Sequence, residues 1–285
     1  MGKLKTSVLA SFIALAAASL PAAENFIPGV GSVELDVRSQ FSHIRVRRLH
    51  NIRTMLFVRD NGEEAMQSQI DLNRPFEVRF PYVQYMFTSY LFCPHQERAL
   101  IVGLGGGGMI HFLRHYDPQL QIDVVEIDPV VVDVADKYFG IRSDEKLKIA
   151  AADGFEHLAK TETVYDVIYL DAFLKPSAAT DSTGVPLRMR TIEFYRQVQK
   201  KLKPGGVVAF NLNAGPDLRG DLTTIGEAFA QMYVFHLPNN TGAVAIGSTV
   251  PERSTIQTLI ARGTELDRRF RASFSFQAMA RRLGH

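Results

Sequence analysis

The sequence predicts an α/β protein: a doubly wound, mostly parallel seven-stranded sheet preceded by a small antiparallel β-unit. Three observations carry this. From Arg98 onward, short continuous apolar runs alternate with amphipathic stretches. Such runs, bounded on both sides by helices, are strands of a parallel sheet covered on both faces. A glycine cluster, "GLGGGG" at 103–108, stands between the first run and the first amphipathic stretch. Before residue 75 the apolar period is two instead, as in strands with one wet face.

The elements follow in order. Residues 1–23 have the form of an export signal: Lys3 and Lys5, the apolar run "SVLASFIALAAASL", and small residues around Ala22 and Ala23. That run is shorter than the roughly 18–20 residues needed to span a bilayer. The expectation is a removable signal and a periplasmic or secreted chain with no membrane span. Residues 30–75 form the β-unit, with "HIRVRRL" and "RTMLFVRD" alternating and "RDNG" turning. Residues 76–285 form the larger domain. Its aromatic entry segment becomes helical after Pro81. Its strands are "ALIVGL", "IDVVEI", "LKIAA", "YDVIYLD" and "GGVVAFNL", then "MYVFHL" and "GAVAIGS". The helices are near 109–116, 129–139, 155–161, 190–202 and 218–230, and one begins at Pro251. Seven strands ending in an antiparallel pair suit the methyltransferase variant of the Rossmann-like fold. No internal repeat or low-complexity tract interrupts this order.

Composition narrows the function. The 285 residues carry a net charge of +2, and loss of Lys3 and Lys5 with the signal brings it to zero. Arginine clusters at 45–48 and 268–271 are too short for a nucleic-acid stripe. The single cysteine, Cys93, excludes an intrachain disulfide and a cysteine-built zinc site. No metal is expected.

Gly103, Gly105 and Gly108 satisfy G-x-G-x-x-G between a strand and a helix, where backbone must turn sharply and approach a ligand. Glu126 lies 23 residues after Gly103, at the end of the second strand, placed to accept both ribose hydroxyls. "ADG" at 152–154 follows the third strand, where Asp153 is placed to read an adenine amino group or to cap the next helix. Asp171 ends the fourth strand, at the sheet edge where substrates sit in open α/β folds. An adenosyl sulfonium and a nicotinamide dinucleotide both fit the loop, and the two aspartates favour the first.

These residues together resemble the spermidine synthase family, the polyamine aminopropyltransferases, over about residues 39–212. "SQFSHIRV" is similar to the family's opening β-segment, and "NGEEAMQS" to its glycine-to-glutamine turn with one or two extra residues. "VEIDPVVVDVADKYF" is the most specific match, followed by "AADGFEHL" and "YDVIYLDAF". The resemblance implies a donor that is decarboxylated S-adenosylmethionine or S-adenosylmethionine, a small amine acceptor, and a homodimer. It assigns Gln67 to the nucleoside end of the donor, Glu126 to the ribose, Asp153 and Gly154 to the adenine, and Asp171 to the general base. Such a base takes the proton of an attacking amine, which has no free lone pair until it is removed.

The chain departs from the family pattern where the acceptor would sit. The aspartate of the family's glycine run is Gly106 here, a second aspartate three places after the base is Leu174, and a Tyr-His-Glu triplet reads "YVQ" or "PYV". Two lost charge-assisted contacts, at ~1.5–3 kcal/mol each, weaken binding of a dicationic diamine by roughly two to four decades. Restoring acids at Gly106 and Leu174 is expected to improve it, with Glu77 and Asp181 as the alternative acids. Three readings stay open: a transferase moving an aminopropyl or methyl group to an unusual acceptor, an exported non-catalytic nucleoside-binding protein, and a nicotinamide-dependent oxidoreductase using His111, His115 or His157.

Overall fold

The computed structural model describes residues 29–174, 177–181 and 184–283. The expected signal at 1–23 lies outside the described residues.

The β-unit is a meander of β1 (Ser32–Arg38), β2 (His43–Leu49), β3 (Ile52–Val58) and β4 (Glu64–Asp71), each antiparallel to the next. The expected turn at "RDNG" closes β3 onto β4. There the Asn61 side chain accepts from the Glu63 N–H at 3.0 Å, and Gly62 takes φ +83°. The entry helix begins at Pro81, as expected, but breaks into α1 (Pro81–Met86) and α2 (Ser89–Phe92). Thr88 lies at the break, its hydroxyl donating to the Tyr85 carbonyl at 2.6 Å.

The large sheet contains β5 (Arg98–Val102), β6 (Gln121–Glu126), β7 (Leu147–Ala151), β8 (Tyr165–Leu170), β9 (Leu202–Asn213), β10 (Gln231–His236) and β11 (Gly242–Ser248). Its order is β10-β11-β9-β8-β5-β6-β7, with β11 alone reversed against its two neighbours. The helices between are α3 (Gly108–Tyr116), α4 (Pro129–Phe139), α5 (Gly154–Lys160), α6 (Ile192–Gln199) and α7 (Leu218–Ala228). The expected doubly wound, methyltransferase-type sheet is therefore present. Three boundaries differ from the sequence reading. Thr191 caps the Phe194 N–H and starts α6 later than expected. "LKPGG" belongs to β9 instead of only leading into it. The terminal helix is two helices, α8 (Ile256–Phe270) and α9 (Phe276–Arg282), separated where Arg271 adopts a left-handed conformation, φ +48°.

Alternate residues of the parallel strands enter opposite faces, and both faces are buried. Ile101, Tyr169 and Ala209 join one cluster, and Leu100, Val102, Ile168 and Val208 the other. This is why the strands read as unbroken apolar runs. The first cluster also takes in Ile44, Val46, Met55 and Ile70 of the β-unit, beside Phe139 of α4 and Phe276 of α9. The boundary near residue 75 thus separates two sheets but not two cores.

Glu64 fixes the start of β4. Its carboxylate, 8% exposed, accepts from Arg45 at 2.7 Å, from Arg47 at 2.9 Å and from the Gly29 N–H at 3.1 Å. Burial alone raises such a carboxyl; the arginines and the amide outweigh it and hold Glu64 below the usual 4.5. The stabilisation is therefore full above that value and is lost as pH falls through the lowered one. Glu64→Gln is expected to cost about 3 kcal/mol at pH 7, because Arg47 loses its carboxylate and Arg45 keeps only Asp36. It should also flatten the acid limb of the stability curve, which urea denaturation at pH 7 and pH 3 measures.

Candidate active site

A cavity of about 440 Å³ opens at the carboxyl ends of β5, β6, β7 and β8 and is roofed by β4 and the segment leading to α1. It is large enough for a nucleoside-sized ligand. Gln67, Gly103, Gly105, Glu126, Asp153, Gly154 and Asp171, the residues expected to bind the donor or act as base, line it. The topology brings them together because every parallel strand delivers its carboxyl end to one edge.

The glycine loop is built by two close approaches. A Cβ on Gly103, at φ +99°, would sit 2.2 Å from the Asp171 carbonyl oxygen. The ends of β5 and β8 are that close because the Asp171 N–H donates to the Val102 carbonyl at 3.0 Å. The second is at Gly107, φ +70°, where a Cβ would meet Ile141 at 2.3 Å. The pattern's third glycine, Gly108, opens α3 and has open space around it. The constrained third position is therefore Gly107, a residue the spacing rule passed over.

Glu126 carries more than the sequence implies. Its carboxylate, 9% exposed, accepts from the Leu104 N–H at 2.9 Å and from the Asp128 N–H at 2.9 Å. It therefore ties the glycine loop to the β6–α4 turn while facing the cavity. Burial, offset by these amides, leaves its pKa raised. Asp128, 1% exposed, caps α4 by accepting from Val130 at 2.9 Å and takes a 2.5 Å bond from the Ser39 hydroxyl. Asp153 caps α5, accepting from Phe155 at 2.8 Å, and its other oxygen pairs with Arg188. The atom expected to read adenine is thus already engaged by an arginine. Gln67 is the extra residue of a β-bulge, since Met55 pairs with Ser68 and Leu56 with Met66. A bulge re-aims a side chain at the expense of one ladder position.

Asp171 is half-buried. The Asn211 amide donates to one oxygen at 2.8 Å and the Tyr82 hydroxyl to the other at 3.3 Å. Burial raises its pKa above the carboxylate norm, and the two hydrogen bonds offset only part of that. Burial and the neighbouring carboxylate push the Tyr82 hydroxyl well above its ordinary value, so it stays protonated and donates. Sequence reasoning missed both partners. Asn211 had a signal, as a polar residue in the otherwise apolar "GVVAFNL"; Tyr82 had one as the tyrosine of "YVQ", which the contact selects over "PYV" as the counterpart of the triplet.

Leu174 and Gly106 stand at the two places where the resemblance leads one to expect acids. Leu174 lines the cavity, as do the apolar residues Phe80, Val83, Phe173, Pro186 and Met189. A Cβ on Gly106 would meet the Phe139 ring and the Ser68 hydroxyl, each at 2.8 Å. The expected gain from an aspartate at Gly106 is therefore corrected: its place is filled. The alternative acids are also engaged, Glu77 by Arg74 and Asp181 by Arg190 at 3.1 Å. His111 lies 2.8 Å from the Phe139 carbonyl, and His115 stacks on Phe76 with ring centroids 3.8 Å apart. His157 has a buried Nε2 with no hydrogen-bond partner. Among the described residues His43 is the only histidine on the cavity wall, so none of the three proposed for hydride chemistry reaches it.

Fold and site together define a transferase of the Rossmann-like methyltransferase class. Residues 82–216 match the spermine/spermidine synthase domain. The polyamine aminopropyltransferase of Vibrio vulnificus is 27% identical over 239 residues, covering 81% of this chain and 78% of that protein. The eEF1A lysine and N-terminal methyltransferase of Danio rerio is 38% identical over 118 residues, covering 40% of this chain but 17% of that protein. Human methyltransferase-like protein 13, solved in complex with SAH, superposes with a TM-score of 0.62 at 25% identity, covering 67% of this chain and 93% of that one. A spermidine synthase in complex with the transition state analogue AdoDATO gives a TM-score of 0.68 at 19% identity, covering 89% and 85%. Between residues 82 and 216 the chain carries the match to the spermine/spermidine synthase domain, and over most of its length it is similar to a polyamine aminopropyltransferase.

Gly106→Asp is expected to lower stability by about 1–3 kcal/mol, as overpacking does, without creating a diamine site. Thermal unfolding and putrescine calorimetry on the variant check both halves.

Proposed function

We propose that the protein transfers an aminopropyl or methyl group from an adenosyl-sulfonium donor to an amine-type acceptor other than a dicationic diamine. The observation that carries this is Asp171, held between Tyr82 and Asn211 beside the glycine loop and facing the cavity. A nucleoside-binding protein without chemistry has no use for a raised-pKa carboxylate at that point. The donors of this class carry a sulfonium that is already a good leaving centre. Alignment and one proton transfer are then the main tasks left to the protein. The nucleoside is assigned to the edge formed by Glu126, Gln67, Asp153 and Gly154. The acceptor is assigned to the apolar residues near Asp171 in the chain, Phe173 and Leu174, with Phe80 of the roof. Such a lining leaves a second ammonium group of the acceptor without a counter-ion, and desolvating an unpaired charge is costly.

Calorimetry of the full chain tests the donor half. Methylthioadenosine is expected to bind the wild type and Asp171→Asn alike. Glu126→Gln is expected to weaken it about tenfold or more, since the ribose contact and the loop tether fail together. Tighter binding of NAD than of methylthioadenosine would overturn the reading. With decarboxylated donor and putrescine, turnover is expected well below the ordinary ~1–10 per second. With any accepted amine, the rate should rise with pH through a pKa above the usual carboxylate range and should collapse in Asp171→Asn.

We also propose that the chain is exported, on the strength of Lys3, Lys5 and the apolar run that follows them. A reporter fused after Glu24 is expected outside the cytoplasm. Recovery of chain beginning at Met1 from the cytosol of the native host would overturn it.

A further inference from the structure

The arginines on the cavity wall differ in one respect. Arg59 pairs with Glu63 at 3.1 Å, and Arg188 pairs with Asp153. Arg79 has no such partner: among the described residues no carboxylate lies within 4.0 Å of its guanidinium. Its Nε donates at 2.7 Å to the neutral side-chain oxygen of Gln69, and Gln69 in turn donates from Nε2 to the Thr54 hydroxyl at 3.0 Å. Asp71 feels the charge of Arg79 from further away, and its own hydrogen bonds go to Asn51 and to the amides of Asn73 and Arg74. The amide relay from Thr54 through Gln69 holds the guanidinium by one nitrogen and leaves its other two without a carboxylate.

The place of Arg79 is equally specific. Gln69 follows Ser68, whose hydroxyl fills the position of an acid at Gly106. Arg79 itself stands three residues before Tyr82, which donates to Asp171. It is tied through β4 to the glycine loop and through the start of α1 to the base. Arg79 lines the same cavity as Glu126 and Asp171, and with the nucleoside placed as proposed above the tail of a sulfonium donor extends from the ribose into that cavity. A decarboxylated donor carries only an ammonium there, which an arginine repels. A full S-adenosylmethionine carries a carboxylate, which an arginine fork grips in bidentate fashion.

We propose that Arg79 binds the tail carboxylate of the donor, so that the donor is S-adenosylmethionine and the group transferred is methyl. This rests on the nucleoside-binding reading above and deepens it. With the tail held, the amine lone pair forms the N–C bond as the S–CH3 bond breaks. The electron pair of that bond returns to sulfur, giving the neutral thioether S-adenosylhomocysteine. Asp171 takes the amine proton.

The test compares two probes that share the nucleoside and differ in the tail: S-adenosylhomocysteine, which has the carboxylate, and methylthioadenosine, which has none. Calorimetry on the full chain is expected to show the wild type preferring S-adenosylhomocysteine by about tenfold to a hundredfold. Arg79→Gln should erase that preference while leaving methylthioadenosine affinity unchanged, which also shows the variant folded. Arg79→Lys should recover part of it. Equal affinities in the wild type, or a preference that survives Arg79→Gln, would overturn the proposal while the nucleoside-binding reading stands. Failure of both probes to bind the wild type would overturn that reading, and this one with it.

Discussion

The site depends on one carboxylate accepting two backbone amides. Glu126 ends β6 and receives the N–H groups of Leu104 and Asp128. A glycine-rich loop is costly to order, because glycine loses more conformational freedom than any other residue. Two charge-assisted bonds from a buried anion offset part of that cost. They also set the spacing between the β5–α3 loop and the β6–α4 turn. Asp128 then caps α4 and reaches Ser39, so the tether extends from the sheet edge to the segment before β2. The same acid that lines the cavity is thus the one that shapes the loop at its edge.

Much of this arrangement is legible in the sequence, for physical reasons that also mark where it stops. The parallel strands are legible because both faces are buried, so "ALIV" and "VVAF" carry no alternation to confuse them. Glu126, Asp153 and Asp171 are legible because a strand's carboxyl end is a fixed place in an open sheet. The partners of those acids are harder to read. Arg188 reaches Asp153 across 35 residues, and Tyr82 reaches Asp171 across 89. No local pattern encodes either meeting. The split of the terminal helix at Arg271 escaped because no glycine or proline marks it. The filled space at Gly106 could not be foreseen either, since Phe139 occupies it from the far end of α4.

The charge pattern of the cavity separates its two halves. At the ends of β6 and β7, Glu126 and Asp153 line the cavity and are held by amides and one arginine. Elsewhere on the lining, Glu77 is paired with Arg74, Asp171 is held by two neutral donors, and a leucine and a glycine stand where the resemblance leads one to expect carboxylates. Coulomb energies between charges a few ångströms apart are large in such half-buried places. Exchanging two acids for neutral groups therefore alters which tails and which acceptors are tolerated, with little effect on the fold that carries them.

The continuous core beneath the two sheets has a consequence for how the cavity is allowed to move. Ile44, Val46, Met55 and Ile70 are packed into the same apolar mass as α4 and α9. A roof rooted in this way is not a hinged lid. Access must come from side chains and the loops at the sheet edge, because lifting β4 would expose apolar surface on both sides of the seam. With one apolar mass beneath them, roof and floor are expected to unfold as one unit.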